Sequence, residues 1–251
     1  MAGHSHWAGI KYKKGIADAK RGKLFSKLAN RIMLAARDGG GDPDVNLPLR
    51  YAIEQARAAN MPKDNITRAI KKGTGELPGE SLYEVVYEGY GQGGVAILVE
   101  TVTNNRNRTV AEIRKIFSTR GGNMGETGCV SWMFTTKGLI EIDDDLIDED
   151  ELMEIVLEAG ALDLRHEGRS YEITTEPADF EAVRKAIEEK NLKPSYAQIT
   201  RIPSTNIRLD EATGKKVLAL ITALEDHDDV VNVYANYDID DSVMDKILAG
   251  M

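Results

Sequence analysis

The 251-residue chain has one cysteine, Cys129, which excludes an internal disulfide framework and fits a reducing compartment. It has four histidines; His166 and His227 each stand alone, so no metal-ligand spacing is formed and no metal or cofactor is expected. No apolar run reaches the 18 or so residues that a membrane helix needs, and the basic N-terminus is not followed by the apolar stretch of a secretory leader. A cytoplasmic protein with no membrane partner is expected. No G-x-x-x-x-G-K-[ST] segment exists, and "GYGQGG" at 89–94, which fits G-x-G-x-x-G literally, is followed by a β pattern instead of the required helix. It reads as a hairpin turn.

The composition is that of an ordinary folded chain, with 42% apolar and 29% charged residues, which excludes disordered and fibrous classes. Charge is distributed unevenly. The net charge is -9, yet residues 1–78 carry 15 Lys or Arg against 7 Asp or Glu, and the remainder is net -17. The first 37 residues hold nine bases and a single acid, Asp18. A basic segment on an acidic body suggests an arm that meets phosphate while the body resists wrapping nucleic acid.

Leu24, Phe25, Leu28, Ile32 and Ala36 recur at helical spacing, and Lys20, Lys23, Lys27 and Arg31 form a second row roughly 115° round the same helix. Packing and charge are therefore expected on separate faces. Two further helices follow, one near Pro48 with Asn46 as cap and one starting at Pro62. From Leu82 the period changes: "LYEVVYEG" and "GVAILVETVT" read as a hairpin, a helix follows from Arg108, and "CVSWMF" reads as a strand with Cys129 a buried core thiol. Residues 137–203 spell β-α-β-β-α-β, the ferredoxin-like order. "TNIRLD", "ATGKKVLALITALED" and "VVNVYANYDI" then supply strand, helix and strand to complete the sheet begun at 82. The expected class is α+β in three domains: residues 1–78, a discontinuous α/β domain of 79–136 plus 204–251, and an inserted ferredoxin-like domain of 137–203.

Catalysis finds no support, since no acid/base pair or activated nucleophile can be named. The acids at 143–151 read as a helix start, where the dipole favours them. Removal of Met1 would expose Ala2-Gly3-His4, a nitrogen set of the kind copper(II) or nickel(II) takes; it reads as incidental. The basic end is the strongest signal. Lys11, Lys13, Lys14, Lys20, Arg21, Lys23, Lys27 and Arg31 are expected to contact phosphate, with Trp7 and Tyr12 stacking among them. Asn60, Met61, Pro62 and Lys63 form a candidate reaching tip, and Arg106 and Arg108 lie in a polar turn ahead of a helix.

"GHSHWAGIKYKK", "RGKLFSKL", "AARDGGGDP", "NMPKDNI", "YEGYGQGGVAILVE", "NRNRTVAEIRKIF" and "GCVSWMF" together resemble the YebC family, which includes the mitochondrial translational activator of cytochrome oxidase subunit one. The likeness spans nearly the whole chain. His6, Gly9 and Tyr12 stand where members often carry Lys, Asn and His, and Cys129 where Ser is usual. The resemblance implies three domains, no catalysis, and nucleic acid as partner. That partner is duplex DNA for a DNA-binding transcriptional regulator, or ribosomal RNA for a ribosome-associated factor that relieves stalling at proline-rich stretches. A monomer is expected in either case, with a protein-interaction module as the third class.

Overall fold

A row of apolar side chains at helical spacing becomes the first helix of the computed structural model, which describes residues 21–79 and 81–249. This helix, α1 (Arg21–Gly39), buries Leu28, Ile32 and Ala36. The second, α2 (Leu47–Ala58), is capped by Asn46, whose Oδ1 accepts from the Leu49 amide at 3.1 Å and whose Nδ2 donates to the carbonyls of Ala35 and Gly40 at 2.8 and 2.7 Å. One buried amide thus joins the end of α1 to the start of α2, satisfying terminal groups that neither helix can satisfy alone. The third, α3 (Lys63–Gly73), packs Ile66 and Ala69 into a core shared with Leu28, Ile32, Leu49 and Ile53. A side chain at Gly73 would begin 2.3 Å from the Met33 carbonyl, so α1 and α3 approach to backbone contact there.

Strands β1 (Tyr83–Tyr90) and β2 (Ala96–Thr103) pair antiparallel from Tyr83 with Thr103 to Tyr90 with Ala96. The turn between them holds Gly93 and Gly94 at φ +73° and +80°, which answers the glycine run: these residues make a hairpin. Helix α4 (Arg106–Thr119) and strand β3 (Asn123–Met124) follow, and the sheet order is β3-β1-β2-β9 with all neighbours antiparallel. Strand β9 (Val230–Ala235) arrives from far along the chain, after a helix described below.

The second sheet has β4 (Phe134–Asp143), α5 (Glu149–Glu158), β5 (Ala161–Glu167), β6 (Ser170–Thr175), α6 (Phe180–Glu189) and β7 (Tyr196–Pro203). Its order, β5-β6-β4-β7, is antiparallel throughout and matches the ferredoxin-like arrangement. Asp148 caps α5 through the Asp150 amide, so the acidic run serves a helix start. The remaining elements are β8 (Ile207–Arg208), α7 (Glu211–Glu225), β10 (Tyr237–Asp238) and α8 (Asp241–Ala249). The described residues group into two compact units, 21–129 with 212–235 and 130–211 with 236–249. The class is α+β, with helices first and sheets after them.

Two expectations need correction. "TNIRLD" does not join the first sheet; β8 pairs parallel with β10 in a separate two-stranded ribbon. "CVSWMF" is not a strand: Ser131–Met133 form a 3-10 turn, β4 begins at Phe134, Cys129 is only half-buried and Trp132 is 73% exposed. Gly128 at φ +91° immediately before Cys129 bends the chain where a strand would have to run.

Candidate nucleic-acid interface

Of the residues expected to meet nucleic acid, Trp7, Lys11, Tyr12, Lys13, Lys14 and Lys20 lie outside the described residues, as do Ala2-Gly3-His4. Arg21 opens α1, but its side chain is outside the description too. The rest of the α1 row is described; it lies on a face apart from the apolar row, as expected, but is engaged within the fold. Lys27 Nζ donates to the carbonyl of Glu225, the last residue of α7. Lys23 Nζ donates to the Asp226 carbonyl at 3.2 Å and pairs with the Asp228 carboxylate at 3.0 Å. Arg31 reaches Gln55 Oε1 at 2.6 Å and Asn232 Oδ1 on β9 at 2.5 Å.

These cations cap the carbonyl end of α7, where the helix dipole and unsatisfied carbonyls both attract positive charge. Burial holds the Lys27 ammonium below its usual pKa, opposed by Glu225, Asp226 and Asp228. Helix α1 therefore packs on both sides. Its apolar row enters the helical core and its basic row clamps the acidic turn before β9.

The 60–63 corner also divides. Asn60 adopts φ +60° and, with Met61, closes α2: the Asn60 amide donates to the Arg57 carbonyl at 2.9 Å and the Met61 amide to the Ala56 carbonyl at 2.8 Å. This is a Schellman ending, in which the residue after the left-handed one is apolar and folds back onto the helix. Met61 is accordingly a core residue and not part of a tip, while Asn60, Pro62 and Lys63 stay exposed. The signal was present in "AANMP": an Asn able to turn left-handed, an apolar residue and then Pro.

Arg106 and Arg108 have separate roles. The Arg106 guanidinium lies 4.3 Å over the Tyr83 ring. Arg108 donates to Asp229 at 2.8 Å, and Thr109 and Thr103 donate to the same Oδ2 at 2.6 and 3.0 Å. Burial alone would raise the Asp229 pKa, but bonds from Thr109, Arg108 and Thr103 outweigh it and lower it. Asp229, His227 and Glu112 come within ligand distance of one another. The Asp229 amide donates to His227 Nδ1 at 3.1 Å, which leaves the neutral ring's proton on Nε2, 2.8 Å from Glu112. With His227 so committed and Asp229 holding three donors, the trio acts as a polar lock on α4.

With Lys23, Lys27, Arg31 and Arg108 engaged, exposed cations without a side-chain partner among the described residues remain on several elements, Arg114, Lys115 and Arg120 on and after α4 among them, and a group of five lies on α2 and α3. They are Arg57, Lys63, Arg68, Lys71 and Lys72. Lys63 and Lys71 share one outward row of α3, and Arg68 and Lys72 the next, with Asp64 the helix's one acid. Sequence reasoning passed over this face because the denser run at 1–37 drew attention first. The rows at steps of four were legible. Burial and then Glu88 push the Cys129 thiol pKa up, which favours its protonated form.

A family model described as the TACO1/YebC protein N-terminal domain matches residues 5–76, and one described as the TACO1/YebC second and third domain matches residues 82–237. A protein of Natranaerobius thermophilus named "probable transcriptional regulatory protein" is 56% identical over 248 residues, covering 98% of this chain and 99% of the relative. One of the same name from Syntrophus aciditrophicus is 57% identical over 250 residues, covering 99% and 100%. The crystal structure of a conserved hypothetical protein from Aquifex aeolicus shares the fold with a TM-score of 0.82 at 48% identity, covering 94% of this chain and 98% of that one.

Proposed function

Because the chain belongs to the TACO1/YebC family, we propose that it is a non-enzymatic regulator of gene expression that binds nucleic acid through its helical N-terminal segment. One observation carries the reading: Arg57, Lys63, Arg68, Lys71 and Lys72, exposed and with no partner among the described residues, gather on two neighbouring helices of a protein whose net charge is -9. The names of its relatives point the same way. In this proposal DNA is the partner and transcription the process. Lys11, Lys13, Lys14, Lys20 and Arg21 add phosphate contacts, Trp7 and Tyr12 stack, and the protein works as a cytoplasmic monomer. The division into domains 1–78, 79–136 with 204–251, and 137–203 belongs to the same proposal. Among the described residues no helix is long and apolar enough to cross a membrane.

The test is fluorescence anisotropy with labelled duplex DNA over a range of salt, with purified ribosomal RNA as competitor. Charge reversal at Arg68 and Lys71 should weaken binding at least tenfold and flatten the plot of log affinity against log salt by about two units, as loss of two phosphate contacts requires. Unchanged affinity and slope in that variant would remove α3 from the interface. Displacement of the DNA by ribosomal RNA at far lower concentration would move the process to translation.

A further inference from the structure

We infer that the cleft beside the end of α3 receives one unpaired nucleotide of a bound strand, with its base on the Tyr83–Arg106 pair and its phosphate on Lys72. The inference rests on the nucleic-acid reading above and adds which form of nucleic acid is preferred. The cleft encloses about 680 Å3 between the last turn of α1, the α3 exit and the start of β1, within the span of small-ligand sites. Among the described residues three cations line it, Arg37, Lys72 and Arg106, against one carboxylate, Glu84.

The cations are not equivalent. Arg37 is committed, donating to the Leu82 carbonyl at 2.5 Å and to Asp38 at 2.7 Å, and so builds the wall. Lys72 has no acceptor among the described residues, and Arg106 has only the Tyr83 ring beneath it. Tyr83 itself is 40% exposed, so part of its ring is open to a ligand. A guanidinium 4.3 Å over a half-exposed aromatic is the kind of cationic, planar pair on which unstacked bases settle.

Geometry links this cleft to the α3 face. From Lys63 to Lys72 the helix advances roughly 14 Å, so the outward cations lead along α3 toward the cleft that Lys72 lines. A duplex can follow the cations but keeps its base faces stacked and cannot fill the cleft. An unpaired strand can do both.

The experiment measures the full chain against a labelled oligothymidine, an oligouridine and a duplex of equal length. Tyr83→Ala should weaken single-strand binding about tenfold to a hundredfold, the range of one lost base stack, and leave duplex affinity within about twofold. Arg106→Lys, which keeps the charge and loses the plane, should weaken single strands alone, and Tyr83→Phe should bind as the parent does. Either single strand suffices; the preference between them identifies the sugar. If Tyr83→Ala and Arg106→Lys both hold single strands at parental affinity while the Arg68 and Lys71 reversal abolishes binding, the cleft is overturned and the function stands. If the parent chain itself binds none of the three nucleic acids, the function falls as well.

Discussion

Replacing Lys27 by Glu is the sharpest probe of the clamp between α1 and α7. The wild-type ammonium donates to the Glu225 carbonyl in a half-buried site near Glu225, Asp226 and Asp228. Loss of a charge-assisted hydrogen bond costs about 1.5–3 kcal/mol. A carboxylate in its place would lie near three acids and the negative end of α7, offset only in part by Lys23, itself paired with Asp228, which brings the total to about 3–5 kcal/mol. For a chain of this size that lowers Tm by about 6–20 °C in a thermal melt followed by circular dichroism. Lys27→Met keeps the aliphatic stem and should cost only about 1–2 kcal/mol. Lys23 is the internal control. Its pair with Asp228 has both side chains more than half exposed, at 52% and 73%, so Lys23→Ala should cost under about 1 kcal/mol. Lys27→Met should also bind nucleic acid as the parent does, because its charge is already spent inside the fold. A Lys27→Glu protein that melts with the wild type would refute the clamp and return the α1 row to solvent.

Two further perturbations test the fold around these sites. Glu172 faces Glu141 across β4 and β6, and burial, then Glu141 and Glu167, push its pKa up to about 8 against the opposing pull of Arg165. The folded state therefore keeps a proton that the unfolded chain has released, so this group's stabilisation is present below about pH 4.5 and is lost as pH rises toward 8, by on the order of 2–4 kcal/mol. Urea midpoints from pH 5 to 9 should fall less steeply for Glu172→Gln, and parallel profiles for the two proteins would refute the assignment. At the α2–α3 corner, Met61→Ala should destabilise by about 2–5 kcal/mol through the cavity it leaves, whereas Lys63→Ala should stay within about 0.5 kcal/mol; equal urea midpoints would put Met61 back at the surface.

What could be read along the chain was what depends on near neighbours. Helical spacing at Leu28, Ile32 and Ala36, the cap at Asn46, the glycine turn at 93–94 and the β-α-β-β-α-β order over 137–203 are all local patterns, and each appears as a structural element. The misreadings were local as well. Gly128 turned an apolar run away from a strand, and Asn60 turned Met61 inward.

The electrostatic conclusions divide differently. The sequence alone determined that positive charge gathers at one end, on a helix with two distinct rows. Which of those charges are free was decided by residues about 200 positions away: the carbonyls ending α7, Asp228, and Asn232 on β9. Periodicity places a side chain on a face of its own helix, but only tertiary packing supplies what that face meets. A lysine against the carbonyl end of another helix is an internal cap, and a lysine with no acceptor on α3 stays open to solvent. The same reasoning separates Arg108, locked onto Asp229, from Arg106, two residues earlier, held over an exposed ring.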